Sequence, residues 1–449
     1  MISPQDAAKA IMVAQQMTSE ERKTLQSKRL VELVDFARKN SPFFQKHYAD
    51  LPENYSLTDI PYTTKSMLSA DYENWLTERG ISKKDVFDYL NADPRTRGGL
   101  FKGKFTALAT SGTTGEPMPM VRDMHHNIVH GVLMQMRLIP PEFIKYADVK
   151  QYKTAALITN DPKASAYNSY LRMLAAAGPD YAKNLLLVPI NISNDEKVRM
   201  LNEFQPDIVS CYPSEMALMA VYQKKGLLKI APKGVACSAE KLSLEMYNTI
   251  KETFNCPIVN NYCMTEGGEV AFGSKCPHLH INEDWIIVEP VDENKQVITD
   301  ENVWSHGIFV TDLSNFIQPI IRYYVEDSVR IHESCECGNT LPWMEIHGRT
   351  SGIYEICGGT LTAMQIDDVN DIFDEALAVQ LVQIDDKTLQ VRAILAETVE
   401  EEKLSAQIVV EMDKVLRRAG CKDYSLTWSN EPPVKNVRGG KLRPFVRID

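Results

Sequence analysis

The chain has 449 residues and a formal net charge of −11, with no dense run of lysine and arginine, which argues against non-specific nucleic-acid binding. Its 44% hydrophobic and 24% charged residues are typical of globular proteins, and no run of about 18 apolar residues could span a bilayer. A chain this long exceeds one ordinary core, so we expect a large domain and at least one smaller domain.

The amino-terminal segment MISPQDAAKAIMVAQQMTSEERK carries charges of both signs and lacks the pattern of an export signal. The nine cysteines form an odd, scattered set, which argues against a disulfide framework and predicts a reducing, cytoplasmic environment. These thiols are expected to be core residues or metal ligands.

Residues 4–48 have a helical pattern that ends at Ser41-Pro42. Within it, the segment RLVELVDFARKN predicts a helix with an apolar stripe formed by Leu30, Leu33, Val34 and Phe36. We interpret this segment as scaffold.

The strand-like segment FTALAT leads into a loop rich in Gly, Ser and Thr at 110–115. Backbone amides and hydroxyls of such a loop can converge on phosphate oxygens without obstruction by side chains, so the loop is a candidate polyphosphate cradle. Glu116 follows the last glycine, where a Walker loop requires Lys, and the pattern is not a dinucleotide fingerprint either. Taken alone, the segment favours a plain flexible loop over a phosphate cradle.

Short apolar runs alternate with helical stretches between Lys153 and Arg330, which indicates largely parallel sheets covered by helices. The segments from DWIIVEPV to IIRYYVEDSVRI predict an antiparallel meander. After Gly348, a hairpin with an Asp-Asp-Lys turn, a helix at about 399–419 and a strand near YSLTW predict a compact α+β unit.

The predicted fold class is therefore α/β, in two domains. A large domain over 1–348 would contain parallel-rich sheets with helices and a small antiparallel barrel-like subdomain. A small α+β domain over 349–449 would follow as a lid.

Two segments, TSGTTGEP and NYCMTEGGEVAF, resemble the core motifs of the acyl-adenylate-forming superfamily, the second of which usually reads Tyr-Gly-x-Thr-Glu. Five more fall in the order and approximate spacing of phenylacetate-CoA ligase-like proteins: RLVELVDFARKNSPFFQKHY, LTDIPYTTKSML, PIIRYYVEDSVRI, CECGNTLPWMEIHGRTSG and RGGKLRPFVRID. The chain is thus similar to AMP-forming acid-CoA ligases over nearly its whole length.

This resemblance implies an ATP and AMP site assembled from distant segments. The residues implied to hold the nucleotide are Ser111, Gly112, Thr113, Thr114 and Gly115 at the phosphates, Thr265 near the α-phosphate, Asp327 at the ribose, Ala239, Glu240, Asn261, Tyr262 and Cys263 around the adenine, and Arg349 at the domain junction. Cys263 stands where the motif usually has Gly, which puts the shape of the pocket in doubt. Arg322 is a weaker candidate for local positive charge than Arg349.

The resemblance implies three catalytic residues: Lys441, Glu266 and Thr265. Glu266 would hold Mg²⁺ against the phosphate oxygens, and Lys441, between flanking glycines and the terminus, would steady the α-phosphate. The alternatives are a capping carboxylate at Glu266, a turn aspartate at Asp327 and an ordinary surface lysine at Lys441. Thr350 and Ser351 replace the acidic residue that many relatives have after Arg349, so the hinge position stays open.

Two cysteine-containing segments predict a structural Zn²⁺ site with these ligands: Cys276, His280, Cys335 and Cys337. His278 is the alternative imidazole, and His280 is favoured by the resemblance. The spacing is not that of a standard zinc finger, so reduced turn cysteines remain the other interpretation. The remaining cysteines, at 211, 237, 256, 357 and 421, are expected in the core.

The predicted function is ATP-dependent activation of an aromatic or arylacetic acid to an acyl-adenylate and then, with coenzyme A, to a thioester. The alternatives are a ligase with an amine or carrier-protein acceptor and an inert nucleotide-binding relative. Expected partners are the acid, ATP and CoA, with neither nucleic acid nor membrane, and the resemblance favours a homodimer.

Overall fold

The structure is a computed structural model that describes residues 2–92, 99–110, 117–139, 151–161, 164–396, 401–435 and 440–448. Ser111, Gly112, Thr113, Thr114 and Gly115 of the predicted phosphate loop lie outside these residues. No helix among the described residues is long and apolar enough to cross a membrane.

The helices are numbered in chain order. They are α1 Pro4–Gln16, α2 Ser19–Asn40, α3 Pro42–His47, α4 Lys65–Ala70, α5 Tyr72–Trp75, α6 Lys83–Asn91, α7 Met124–Leu133, α8 Ser165–Ala177, α9 Asn194–Phe204, α10 Pro213–Lys224, α11 Leu244–Phe254, α12 Ala363–Asn370 and α13 Glu401–Arg418. A π-helical turn, Met134–Leu138, continues α7, and 3₁₀ turns form at Leu57–Asp59 and Ala182–Asn184.

The strands follow the same convention. They are β1 Thr106–Ala109, β2 Pro119–Arg122, β3 Thr154–Ile158, β4 Leu185–Pro189, β5 Ile208–Cys211, β6 Gly234–Ser238, β7 Ile258–Met264, β8 Gly268–Gly273, β9 Leu279–Ile281, β10 Ile286–Val291, β11 Gly307–Asp312, β12 Ile320–Val325, β13 Asp327–His332, β14 Trp343–Arg349, β15 Ile353–Ile356, β16 Gly359–Thr362, β17 Ala376–Gln383, β18 Thr388–Leu395, β19 Ser425–Trp428 and β20 Phe445–Arg447.

The chain forms two compact units. The first comprises residues 1–144, 160–176 and 261–345, and the second comprises residues 145–159, 177–260 and 346–449. The predicted division into 1–348 and 349–449 stays a prediction.

In the first unit, α2 begins at a Thr18 capping box and ends where Ser41 caps α3, as the pattern around Ser41-Pro42 predicts. Its buried apolar face follows the spacing i, i+3, i+4, i+7 and consists of Leu30, Leu33, Val34 and Ala37. The prediction that Phe36 belongs to this stripe is wrong, because its position falls beside that face. Phe36 is exposed and packs edge-on against Phe316.

Strands β10, β11 and β12 form the predicted antiparallel meander, with Ile286 opposite Asp312 and Ile308 opposite Val325. In the described residues this sheet is open, since β13 pairs with β14 instead of closing it. The subdomain is therefore an open sheet where a barrel-like one was expected. Strands β8 and β9 pair antiparallel, and β9 pairs with β14 through His280 and Trp343.

The second unit contains the predicted parallel units, with strands in the order β6-β5-β3-β4. Its core comes from alternating strands and helices, with Leu157, Val209 and Val235 from the sheet packed among Met216 and Ile250 from α10 and α11. Burial of these side chains, each worth about 1.5–3 kcal/mol, holds the layers together.

Residues 376–447 of the second unit include a four-stranded sheet in the order β19-β18-β17-β20. The predicted hairpin is confirmed, and its turn is closed by Asp385, whose Oδ1 accepts from the amides of Lys387 and Thr388. Helix α13 buries a stripe at helical spacing, Leu404, Ile408, Met412 and Leu416, in the core that these strands share.

Candidate functional site

Strands β1 and β2 form the neck of the predicted phosphate loop. They pair antiparallel, and the pairing continues to Thr110, whose amide donates to the Met118 carbonyl at 3.0 Å while its Oγ1 accepts from the Met118 amide at 2.9 Å. The two ends of the loop are therefore held together by main-chain pairing. Arg122 is the last residue of β2, and its side chain extends from this hairpin to the second motif.

The Thr265–Glu266 motif lies in the tight turn between β7 and β8 in the first unit. The guanidinium of Arg122 donates to the carbonyls of Met264 and Thr265, at 3.1 and 2.9 Å. The Tyr323 hydroxyl donates to Glu266 Oε1 at 3.2 Å. The described structure thus connects the neck of the phosphate loop to the motif that carries the predicted magnesium ligand.

Two residues implied to bind the nucleoside come together in the first unit. The Tyr262 hydroxyl donates to Asp327 Oδ2 at 2.5 Å. Asp327 begins β13 and is buried, whereas Cys263 is exposed beside Tyr262. Asn261 Nδ2 donates to the carboxylate of Glu269. A carboxylate at the start of a strand, next to an aromatic ring, can accept hydrogen bonds from two neighbouring sugar hydroxyls.

Ala239 and Glu240 follow β6 in the second unit. Ala239 has a φ of 73°, a left-handed conformation that costs a non-glycine residue about 1–2 kcal/mol and that concentrates at functional sites. Glu240 accepts hydrogen bonds from the Ser214 hydroxyl at 2.6 Å and from the Leu442 amide at 2.7 Å. Burial raises the pKa of Glu240, and these hydrogen bonds partly offset that shift.

Lys441 lies in the same unit, and its backbone is fixed on both sides. Leu442 is held by Glu240, and Gly440, with a φ of 67°, packs so closely on Ile190 that an added Cβ would lie 2.1 Å from its Cγ2. Lys441 also interacts electrostatically with Glu240. The predicted roles of Glu240 at the adenine and Lys441 at the α-phosphate thus fall on neighbouring residues.

The two candidate arginines differ in their surroundings. Arg322 is buried, has a φ of 44° and makes a two-pronged ion pair with Glu289, with both N–O distances at 3.0 Å. It also donates to the Ile60 carbonyl. Arg322 therefore anchors the meander, and its charge is paired with Glu289; a role as positive charge for a ligand stays a prediction. Arg349 ends β14 in the second unit and is exposed.

The four predicted zinc ligands come together in the first unit, with their ligand atoms within 4.8 Å of one another. His280 Nε2 lies 3.5 Å from Cys276 Sγ and 3.3 Å from Cys337 Sγ, and the sulfurs of Cys276 and Cys335 are 4.0 Å apart. His280 Nδ1 lies 3.1 Å from the Leu341 carbonyl, which turns Nε2 towards the sulfurs.

His278, the alternative ligand, is outside this group. Its ring stacks on Trp343 with centroids 4.0 Å apart, and its Nδ1 is 3.1 Å from Cys335 Sγ.

Sequence patterns did not identify Arg122 and Tyr323 as parts of this site. Arg122 is separated from Thr265 by more than a hundred residues and lies outside the quoted motifs. Tyr323 lies within the segment PIIRYYVEDSVRI, but it is more than fifty residues from Glu266, and nothing in the segment points to that contact. Among the cysteines expected in the core, those at 211, 237, 256 and 421 are buried, but Cys357 is only half-buried.

No family model matches the chain. It is 25% identical to Protein CapK from Staphylococcus aureus over 320 residues, which cover 68% of this chain and 62% of CapK, less than two thirds of that relative. It is 23% identical to phenylacetate-coenzyme A ligase from Thermus thermophilus over 367 residues, which cover 78% of this chain and 75% of the ligase.

Among solved structures, the chain is similar to 2-hydroxyisobutyryl-CoA ligase in the postadenylation state in complex with R3-HIB-AMP, with a TM-score of 0.66, 16% identity and coverage of 97% of this chain and 91% of that one. The same ligase in the thioesterification state with 2-HIB-AMP and CoA gives a TM-score of 0.57, at 96% and 91% coverage. The predicted resemblance to phenylacetate-CoA ligase-like proteins and the predicted α/β fold class are both confirmed.

Proposed function

We propose that this protein is an AMP-forming acid-CoA ligase: it joins a carboxylic acid to the α-phosphate of ATP, releases pyrophosphate, and transfers the acyl group from AMP to coenzyme A. The observation that carries the proposal is the anchored Thr265–Glu266 turn, which Arg122 connects to the neck of the phosphate loop. The similarity to a CoA ligase over 78% of the chain supports it.

Each part of the nucleotide would have its own contacts. The phosphates would be cradled by Ser111, Gly112, Thr113, Thr114 and Gly115. The carboxylate of Asp327 would accept hydrogen bonds from the ribose hydroxyls, and the adenine would lie among Ala239, Glu240, Asn261, Tyr262 and Cys263. Mg²⁺, bound through Glu266, would neutralise charge on the phosphate oxygens. Thr265 would bind beside the α-phosphate, and Arg349 would contribute positive charge.

Lys441 would complete the adenylation site. Its ammonium would stabilise charge that develops on the α-phosphate as the carboxylate attacks, and such preorganised cations act most strongly where water is excluded. Residues 349–449 would then act as a lid that presents Lys441 for adenylation and another face for thioester formation.

The proposed substrate class is an aromatic or arylacetic acid. The test is a panel of acids with ATP and Mg²⁺, read as pyrophosphate release with and without CoA. CoA-dependent thioester formation with an aryl acid is expected. Release that needs an amine or a carrier protein would favour the alternative acceptor, and no release with any acid would favour an inert nucleotide-binding relative.

We also propose a structural Zn²⁺ at Cys276, His280, Cys335 and Cys337. Tetrahedral zinc with usual bond lengths places sulfurs about 3.8 Å apart and sulfur and nitrogen about 3.5 Å apart. The observed 4.0, 3.5 and 3.3 Å fit this arrangement. Four protein ligands leave no open coordination position, so the ion would join the segment after β8 to the loop after β13 and take no part in catalysis.

Replacing Cys337 with serine is expected to remove the zinc and lower the melting temperature by about 5 °C or more, because metal binding contributes directly to folding. Metal analysis should find about one equivalent of zinc in the unaltered protein. Cys357→Ser, at a half-buried cysteine outside the cluster, is the matched control and should keep the metal. Less than about a tenth of an equivalent in the unaltered protein would refute the site.

A cytoplasmic location and a homodimeric assembly are part of the proposal. The odd number and scattered positions of the cysteines favour the first, and the resemblance to the ligase family favours the second.

A further inference from the structure

A buried polar cluster lies behind the Glu266 turn in the first unit. Its members are His126 and His130 on α7, and Asp312 and Ser314 at and after the end of β11. The histidines are four residues apart, so they share one face of the helix, and their rings stack with centroids 4.1 Å apart. Ser314 Oγ lies 3.1 Å from a nitrogen of each ring and donates to Asp312 at 2.6 Å.

Hydrogen-bond polarity fixes the tautomer of His130. The backbone amide of Glu269 can only donate, and its nitrogen lies 2.8 Å from His130 Nδ1. His130 Nδ1 must therefore be unprotonated, so the ring hydrogen is on Nε2, which faces Ser314 and, at 3.4 Å, Asp312. A nitrogen that carries a hydrogen has no lone pair for a metal, so His126, His130 and Asp312 are not a metal site despite their proximity.

The charge state of the cluster agrees with this arrangement. Burial lowers the pKa of His126 to about 3, so this ring is neutral and its Nδ1 donates to Asp312 at 2.9 Å. Burial alone would raise the pKa of Asp312, but the adjacent histidines hold it well below its usual range. The charged groups that interact with the cluster include Asp312 itself, the guanidinium of Arg122 and the carboxylate of Asp123, which caps α7. An ionised Asp312 thus orients both rings through their hydrogens.

The ring of His130 also fixes the backbone after Glu266. Gly268 has a φ of 69°, and a Cβ at this position would lie 2.5 Å from the ring. The Glu269 carbonyl accepts from Asn282 at 3.0 Å, and Asn282 accepts in turn from Arg137 in the π-helical turn. Glu269 is therefore held at its amide by α7 and at its carbonyl through the turn that follows α7.

We propose that His130 is a positioning residue that, locked in one tautomer by Asp312 and Ser314, holds the turn that presents Glu266 to the metal–nucleotide complex. The proposal rests on the proposed function, since Glu266 acts there as the magnesium ligand. An error of about 1 Å in the position of such a group can cost about a hundredfold in rate, so a rigid support for the turn matters for catalysis.

The experiment compares three variants. His130→Ala removes the acceptor for the Glu269 amide, whereas His130→Asn keeps an oxygen at the place of Nδ1. His125→Ala, on the same helix, is the matched control, because the His125 ring packs against Trp285 and Phe316, which lie outside the turn. For each, the Mg²⁺ concentration that half-saturates ATP–pyrophosphate exchange is measured beside the KM for the acid, and Mg²⁺-dependent ATP binding is measured by calorimetry.

His130→Ala should raise the half-saturating Mg²⁺ concentration about tenfold with little change in the acid KM, and His130→Asn should restore most of this loss. The His125→Ala control should resemble the unaltered protein. A purely structural role would instead lower stability in both His130 variants, without a selective effect on Mg²⁺ and without rescue by asparagine.

A second measurement does not depend on finding the acid. In the unaltered protein, ¹⁵N resonances of the histidine side chains should include one ring, absent from His130→Asn, with an unprotonated Nδ1 and a protonated Nε2 at neutral pH. The opposite tautomer, a cationic ring, or a bound metal ion lost on His130→Ala would overturn the proposal. If no acid supports exchange, the proposed function fails, while calorimetry and the tautomer still test His130.

Discussion

Replacing Lys441 with alanine is expected to abolish ATP–pyrophosphate exchange, with a fall in its rate of at least about a hundredfold. A supplied acyl-adenylate should still be converted to thioester. Alanine removes the cation that would stabilise the α-phosphate but leaves the backbone anchors at Gly440 and Leu442 in place. The two half-reactions are measured separately, as pyrophosphate exchange and as thioester formation from purified adenylate and CoA.

A matched control is Lys422→Ala, which removes an exposed lysine from the same unit. This control should retain both half-reactions. If Lys441→Ala reduces both half-reactions equally, the assignment of Lys441 to adenylation alone is wrong, and a general loss of structure or a role in both steps would explain the result.

The Glu266→Gln substitution is expected to lower ATP–pyrophosphate exchange about a hundredfold or more. Glutamine has nearly the shape of glutamate and can still accept from Tyr323 at the position of Oε1, so the turn should keep its structure. It lacks the negative charge that Mg²⁺ prefers in its ligands. The measurement is exchange over a range of Mg²⁺ concentrations, with melting temperature as a check on folding.

Glu293→Gln, at an exposed turn in the meander, is the control for removal of one carboxylate from the same unit. It should leave the Mg²⁺ dependence unchanged. An unchanged Mg²⁺ dependence in Glu266→Gln would contradict the role of Glu266 as a metal ligand, whatever the effect on the maximal rate.

Local patterns predicted the elements well where one short-range rule determined them. The Asp-Asp-Lys turn is such a case, because Asp385 bonds to amides two and three residues away. The parallel units were likewise predictable from apolar runs that alternate with helices. The stripe on α2 was assigned wrongly at Phe36, because a residue two positions after Val34 is rotated away from the buried face.

The long-range contacts that hold the site together could not be predicted in the same way. The contacts of Arg122 with Met264 and Thr265, and of His130 with Glu269, join residues about 140 apart in sequence. Neither contact produces a periodicity or a characteristic spacing of residues in the sequence. Resemblance pointed to motif residues such as Glu266 and Asp327, whose roles stay predictions. It could not show the surroundings of Arg322, a cation in one of the motifs that forms an ion pair with Glu289.

The exposed thiol of Cys263 has a practical consequence. It is the one exposed cysteine among the nine, all of which fall in the part of the chain that the structure describes. A small thiol-directed fluorophore attached there would sit beside Tyr262, whose hydroxyl is bonded to Asp327. The departure from glycine at this position thus provides a thiol whose protection from labelling by bound nucleotide would report occupancy of the proposed nucleoside pocket, without introducing a foreign residue.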